Sequence, residues 1–155
     1  MKTYNELLKE AATRVEEILP WDLEAARASD TPPMILDVRE PDEYDGMHIP
    51  GSIHIPRGQL ESACEWGFDE TIPALVEARD KPIVVVCRSG HRSLFAADRL
   101  REMGYTQVRS LRTGLRGWNE YDQPLINHAG AAIDPEDGDH FFASKVRPEQ
   151  LEPPA

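Results

Sequence analysis

Seven consecutive residues, Cys87, Arg88, Ser89, Gly90, His91, Arg92 and Ser93, bring a thiol, two guanidiniums, an imidazole, two hydroxyls and a glycine into one short stretch. The stretch follows an apolar run, Ile83 to Cys87, and leads into a helical pattern that starts at Ser93. A cysteine at such a junction meets the positive end of a helix dipole, several backbone N–H groups and nearby cations. Each of these favours thiolate over thiol, so Cys87 is the expected nucleophile. The same N–H groups, with Arg88 and Arg92, form a small anion cradle, and Gly90 lets the backbone turn without a side-chain clash. A thiol inside an anion pocket suits oxyanion substrates, with Ser89, His91 and Ser93 completing the lining. An isolated cysteine at a strand end would be read as core packing; the arginines and the glycine around Cys87 reverse that reading. His91 is assigned no acid/base work, because a cationic imidazole between two arginines is disfavoured.

The surrounding pattern says what positions this loop. Ile83-Val84-Val85-Val86 has the unbroken apolarity of a strand buried on both faces, which implies a parallel sheet. Met34 to Val38 and Ile53 to Ile55 are further short, β-branched runs bordered by Pro, Gly or Asp, and Val108 to Leu111 suggests another strand. Ala96, Ala97, Leu100 and Met103 give one helical face that Gly104 ends. The unit is strand, loop, helix, strand, and ligand sites in parallel α/β sheets favour its loop edge. Upstream, Tyr4, Leu7, Leu8, Ala11, Val15 and Ile18 recur at helical spacing, with Thr3 and Glu6 as a capping box. Residues 1–17 are therefore expected as an amphipathic helical extension that packs on its own domain, followed by a short helix around Trp21 to Ala28. The domain itself is expected over 18–124. Residues 125–155, rich in Asp, Glu, Gly and Pro, are expected as an acidic, partly disordered tail.

Composition narrows the function. With 17 Lys+Arg against 28 Asp+Glu in 155 residues, the net charge is -11, which opposes nucleic acid and anionic membrane as partners. The charged N-terminal stretch lacks the apolar core of a signal peptide and no run could span a bilayer, so a cytoplasmic location is expected. The two cysteines have no zinc-like spacing, and Asp134, Glu136, Asp137, Asp139 and His140 do not follow a calcium-loop pattern; no metal site is expected. Cys64, in a Pro- and Gly-broken connection, is read as inert rather than as a redox partner of Cys87.

Cys87-Arg88-x-Gly90-x-Arg92-Ser93 after an apolar strand resembles the active loop of single-domain rhodanese-like sulfurtransferases. A second stretch, Leu36-Asp37-Val38-Arg39-Glu40-Pro41-x-Glu43-Tyr44 followed by His48-Ile49-Pro50-Gly51-Ser52, is similar to that family's upstream signature. Ser110-Leu111-Arg112-Thr113-Gly114 with Trp118 resembles its closing element, so the resemblance covers about Ile18 to Pro124. Met47 stands where a glycine is usual, and Thr113 replaces the first glycine of the closing pair; both bear on local loop geometry.

The resemblance implies an α/β, rhodanese-like fold with a central parallel five-stranded sheet and helices on both faces. It also implies that Asp37, Arg39, Glu43 and His48 support the site through hydrogen bonds and ion pairs rather than by catalysis. The implied activity is thiosulfate sulfurtransfer. Cys87 would take the outer sulfur of thiosulfate or a related small oxyanion donor, Arg88 and Arg92 would hold the departing oxyanion, and cyanide or a thiol would accept the sulfur from a Cys87 persulfide, with no metal or organic cofactor. A protein-to-protein sulfur carrier uses the same persulfide and a sulfur-acceptor protein. A cysteine phosphatase or arsenate reductase would need Cys-x5-Arg, whereas Arg92 comes one residue early. A non-enzymatic module is disfavoured by the intact Cys87.

Overall fold

The computed structural model describes residues 1–154. Its centre is β4 (Ile83–Val86), buried along its whole length. β4 is flanked on one side by β5 (Val108–Leu111) and β1 (Glu16–Ile18), and on the other by β2 (Met34–Asp37) and β3 (Ile53–His54), in the order β1-β5-β4-β2-β3. All four pairings are parallel. Alternation along β4 divides the interior in two. Ile83 and Val85 enter one apolar cluster with Leu36, Leu60, Leu75, Ala97 and Leu100, while Val84 and Val86 enter the other with Leu23, Ile35, Leu115 and Trp118. A strand apolar on both faces fits only between two layers of helices.

On the first face lie α1 (Tyr4–Ala12), α4 (Leu60–Ala63), α5 (Pro73–Val76) and α6 (His91–Glu102). On the second lie α2 (Pro20–Arg27), α7 (Gly114–Glu120) and α8 (Pro135–Phe142). The short α3 (Pro41–Gly46) follows β2, and α9 (Pro148–Leu151) follows α8. The architecture is the expected α/β one, with a five-stranded parallel sheet covered on both sides. Among the described residues no helix is long and apolar enough to cross a membrane.

Both chain extensions differ from their expected form. The helix expected to run through residue 17 stops at Ala12, and Glu16–Ile18 is the edge strand β1, paired with Arg109, Ser110 and Leu111. Val15 and Ile18 look like one helical stripe in sequence, yet they belong to opposite apolar clusters, the outcome of an extended segment at the sheet edge rather than of a helix. α1 has the expected capping box and packs on α6, with Ala11 buried and Arg14 bridging bidentately to Asp98 at 2.9 and 2.8 Å.

Residues 125–155, expected as a partly disordered tail, carry α8 and α9. Leu125 and Phe142 are buried in the second cluster. Gly138 lies so close to Asn119 that a Cβ there would meet its side chain at 2.4 Å, and the Asn119 amide donates to the Pro135 carbonyl and the Asp139 carboxylate. Composition hid this because the acidic residues lie on the outside of α8 while two adjacent phenylalanines end it. Two of the carboxylates that raised the question of a metal have structural uses: Asp134 caps α8, and Asp139 holds Asn119.

Candidate active site

The chain leaves β4 at Cys87 and turns back into α6 through Gly90, whose φ of +96° lies in the left-handed region. A Cβ at Gly90 would sit 3.1 Å from the Leu111 carbonyl oxygen and 3.3 Å from the Thr113 nitrogen, so glycine is favoured by both conformation and space. The turn wraps the backbone around the Cys87 sulfur. Gly90 N–H donates to Sγ at 3.1 Å and Ser93 N–H at 3.3 Å, while the thiol itself donates to Ser93 Oγ at 3.3 Å. Cys87 is only 1% exposed. Donors converging on a desolvated sulfur stabilise negative charge there.

The loop is clamped from behind. Leu115 N–H donates to the Cys87 carbonyl at 2.8 Å and Arg116 N–H to the Arg88 carbonyl at 3.0 Å. This contact explains the closing motif, because a Cβ on Gly114 would fall 2.5 Å from the Arg88 carbonyl. Thr113, where a glycine was the expectation, still adopts φ +72°, a conformation that costs a threonine energy. Its side chain fits because Gly117 opposite has none. At the other departure, Met47 is extended and buried, and its carbonyl accepts from Arg39.

The two loop arginines are held apart. Arg92 forms a fork with Glu43, both contacts at 2.8 Å; this bond raises the Arg92 guanidinium above its ordinary value, against the opposing effect of burial and with a smaller contribution from the charge of Cys87. The same bond holds the Glu43 carboxyl below its usual range. Arg88 donates to the Phe142 carbonyl at 3.1 Å, so the end of α8 positions a cation next to Cys87. The backbone N–H groups of Arg88, Ser89, His91 and Arg92 have no acceptor among the described residues. Clefts flank the loop on both sides, one lined by Arg88, Phe142 and Lys145, the other by Lys9, Ser89, His91 and Arg112. None of Arg88, Lys145, Lys9 and Arg112 pairs with a carboxylate among the described residues, although most arginines of this acidic chain do. His91 is exposed, its ring edge-on to Tyr4 at 5.8 Å.

The upstream residues form a brace. Asp37 and Arg39 are completely buried and joined at 2.8 Å. Arg39 also donates to the carbonyls of Glu43 and Met47, which fixes α3 and hence the Glu43 carboxylate that Arg92 grips. His48 Nδ1 lies 2.7 Å from the Tyr44 carbonyl and His54 Nε2 lies 2.7 Å from that of Arg39. The Tyr44 ring is stacked between the two imidazoles, with centroids 3.9 and 4.4 Å away. Cys64 is buried beside Tyr105, and burial pushes its thiol up, the environment of a packing residue.

Two participants were not assigned from sequence. The Phe142 carbonyl comes from a segment read as tail. Ser110, on β5, is fully buried with its hydroxyl 2.8 Å from Ser93 Oγ; the signal for it was a serine one residue from the end of a predicted strand, beside the loop.

Comparison with known proteins places these features in a family. The family model described as Rhodanese-like domain matches residues 22–121. The Bacillus subtilis protein named "Putative sulfur carrier protein YrkF" is 36% identical over 70% of this chain, and this chain spans 54% of its length, about half. The Schizosaccharomyces pombe protein named "Putative thiosulfate sulfurtransferase, mitochondrial" is 30% identical over 64% of this chain and 72% of its own length. Among solved structures, a Rhodopseudomonas palustris protein of unknown function, described as a "Possible Tyrosine Phosphatase", superposes with a TM-score of 0.69 at 32% identity, covering 80% of this chain and 94% of its own.

Proposed function

Because the chain belongs to the rhodanese-like family of sulfurtransferases, we propose that it moves a sulfane sulfur from thiosulfate or a related anionic donor to a thiol or cyanide through a persulfide on Cys87. The observation that carries this reading is the convergence of the Gly90 and Ser93 N–H groups on the Cys87 sulfur, inside a turn whose Arg88, Ser89, His91 and Arg92 N–H groups have no acceptor among the described residues.

In the first half-reaction the Cys87 thiolate attacks the outer sulfur of thiosulfate. An S–S bond forms to Sγ, the S–S bond of thiosulfate breaks, and its electron pair leaves with sulfite. Arg88 and the loop N–H groups compensate the charge of the departing oxyanion. The persulfide then carries its negative charge on the outer sulfur, where the N–H groups of Arg88, Ser89, His91 and Arg92 are the available donors. In the second half-reaction cyanide or a thiolate takes that sulfur, and the electron pair returns to Cys87 as thiolate. Atoms and charge balance on sulfur alone, so the cycle calls on no metal or organic cofactor.

A second reading, in which a partner protein receives the same persulfide, is favoured by the sulfur-carrier name of the B. subtilis relative. An exposed opening helix would have supported docking of such a partner. Instead α1 turns Leu8 and Ala11 onto the domain. Phosphatase chemistry is opposed by the loop itself, because Arg92 is spent on Glu43 and lies one residue short of the Cys-x5-Arg spacing.

The test is intact mass after incubation with thiosulfate, followed by cyanide. The expected result is a gain of one sulfur atom that cyanide removes and that Cys87→Ser abolishes. If instead the wild-type chain gains no sulfur but hydrolyses an aryl phosphate, the reading is wrong.

A further inference from the structure

Behind Cys87 runs a buried chain of hydroxyls. The Cys87 thiol meets Ser93 Oγ at 3.3 Å, and Ser93 Oγ meets Ser110 Oγ at 2.8 Å. Ser93 and Ser110 are both 0% exposed, and Ser110 Oγ has no other partner among the described residues. With sulfur protonated, the thiol donates to Ser93 and Ser93 donates to Ser110, which leaves the Ser110 hydroxyl hydrogen buried without an acceptor. With sulfur ionised, the direction reverses: Ser110 donates to Ser93, Ser93 donates to the anion, and every hydrogen is used. Linked donors polarise one another, and most where the final acceptor carries charge. The second hydroxyl therefore strengthens the bond to anionic sulfur more than the bonds to a neutral thiol.

We propose that Ser110 is a positioning residue that turns the Ser93 hydroxyl toward the anionic Cys87 sulfur. The proposal rests on the sulfurtransferase reading only in taking Cys87 as the nucleophile. β5 is suited to the task. It lies beside β4, its register pairs Ser110 with Val85, and it carries its hydroxyl under the loop where neither solvent nor substrate reaches it. The charged or titratable side chains of the loop and of the clefts beside it are Arg88, His91 and Arg92 in the loop, Asp37 and Arg39 at the end of β2, Glu43 on α3, Lys9 on α1, Glu17 on β1, Arg112 after β5 and Lys145 after α8. Ser110→Ala alters none of them, so a change in pH behaviour is assigned to the hydroxyl chain.

The experiment follows alkylation of Cys87 by iodoacetamide across pH, reading the Cys87 peptide by mass so that Cys64 does not contribute, with sulfur loading from thiosulfate measured beside it. Relative to wild type, Ser110→Ala is expected to alkylate about 1.3- to fivefold more slowly on the acid limb, given strengthening of roughly 10–30% on a charge-assisted bond. Its rate recovers at alkaline pH, so that the acid limb moves to higher pH. In a Ser93→Ala background Ser110→Ala is expected to add nothing, since its route to sulfur is gone. An unmoved acid limb, an equal loss at every pH, or additive effects of the two substitutions would each overturn the proposal. Should Ser110→Ala not fold, Ser110→Cys, a near-isosteric and weaker donor, reads the same limb on the same peptide. Failure of wild type to load sulfur while the limb still shifts would count against the sulfurtransferase reading and leave the role of Ser110 standing.

Discussion

The turn after β2 and the turn after β4 are both rich in charge, but they use their charges in opposite ways. After β2, Asp37 and Arg39 are wholly buried and satisfy each other, and the remaining Arg39 donors close on the Glu43 and Met47 carbonyls. After β4, among the described residues, four backbone N–H groups are unpaired and Arg88 meets only a neutral carbonyl. What separates a brace from a candidate site is therefore the count of donors left over for a ligand, which a residue list does not reveal. Glu43 belongs to both turns: Arg39 fixes its backbone and Arg92 grips its carboxylate.

The largest effect that could break this contrast is on the brace. Arg39→Ala leaves the Asp37 carboxylate buried without its partner, a loss on the order of 3–5 kcal/mol, and the expected readout is a large fall in chemical-denaturation midpoint. Sulfur loading per folded molecule should change far less than stability. If Arg39→Ala folds with near wild-type stability yet loads no sulfur, the brace is part of the chemistry and the contrast is lost.

The opposite pattern is expected in the loop. Arg88→Ala removes one neutral-acceptor hydrogen bond and a partly exposed cation, so its cost to stability should be about 1 kcal/mol. Its cost to the first half-reaction should be ten- to a hundredfold, roughly the value of a charge-assisted contact to a leaving oxyanion. Single-turnover loading from thiosulfate, compared with discharge by cyanide, checks this, because the oxyanion is present only in the first. Equal losses in both halves would mean that Arg88 shapes the loop instead of holding the anion.

Much of this arrangement was legible in sequence. Unbroken apolarity gave β4 as the central strand, and Gly90 with its arginines gave the loop, because both are local patterns with local physical causes. Less legible was whatever depends on partners distant in the chain. Val15 and Ile18 match a helical stripe and also the two sides of a strand, and only pairing with β5 decides between them. Phe142 sits in an acidic, Gly-containing stretch, so its burial and its carbonyl contact with Arg88 follow from α7 offering a surface for α8. Ser110 reads as one polar residue in a strand until Ser93 is seen beside it.

The smallest effect sharpens the comparison where the two turns meet. The Glu43 and Arg92 side chains are 29% and 37% exposed, so solvent screens their attraction and the pair is worth about 0.2–1 kcal/mol. Because the Arg92 bond holds the folded Glu43 carboxyl below its ordinary value of 4.5, the unfolded chain takes up that proton first as pH falls. The contribution of the pair is complete above the ordinary value and disappears as pH drops through the lowered one. Glu43→Gln should therefore melt slightly below wild type at neutral pH, and the difference should shrink as the solution is acidified below the ordinary carboxylate range. Added salt should shrink it too. The substitution also frees Arg92. If loading from thiosulfate then rises while stability falls, Glu43 is restraining a cation the site could use; if loading falls, the fork is what keeps the loop open around Cys87.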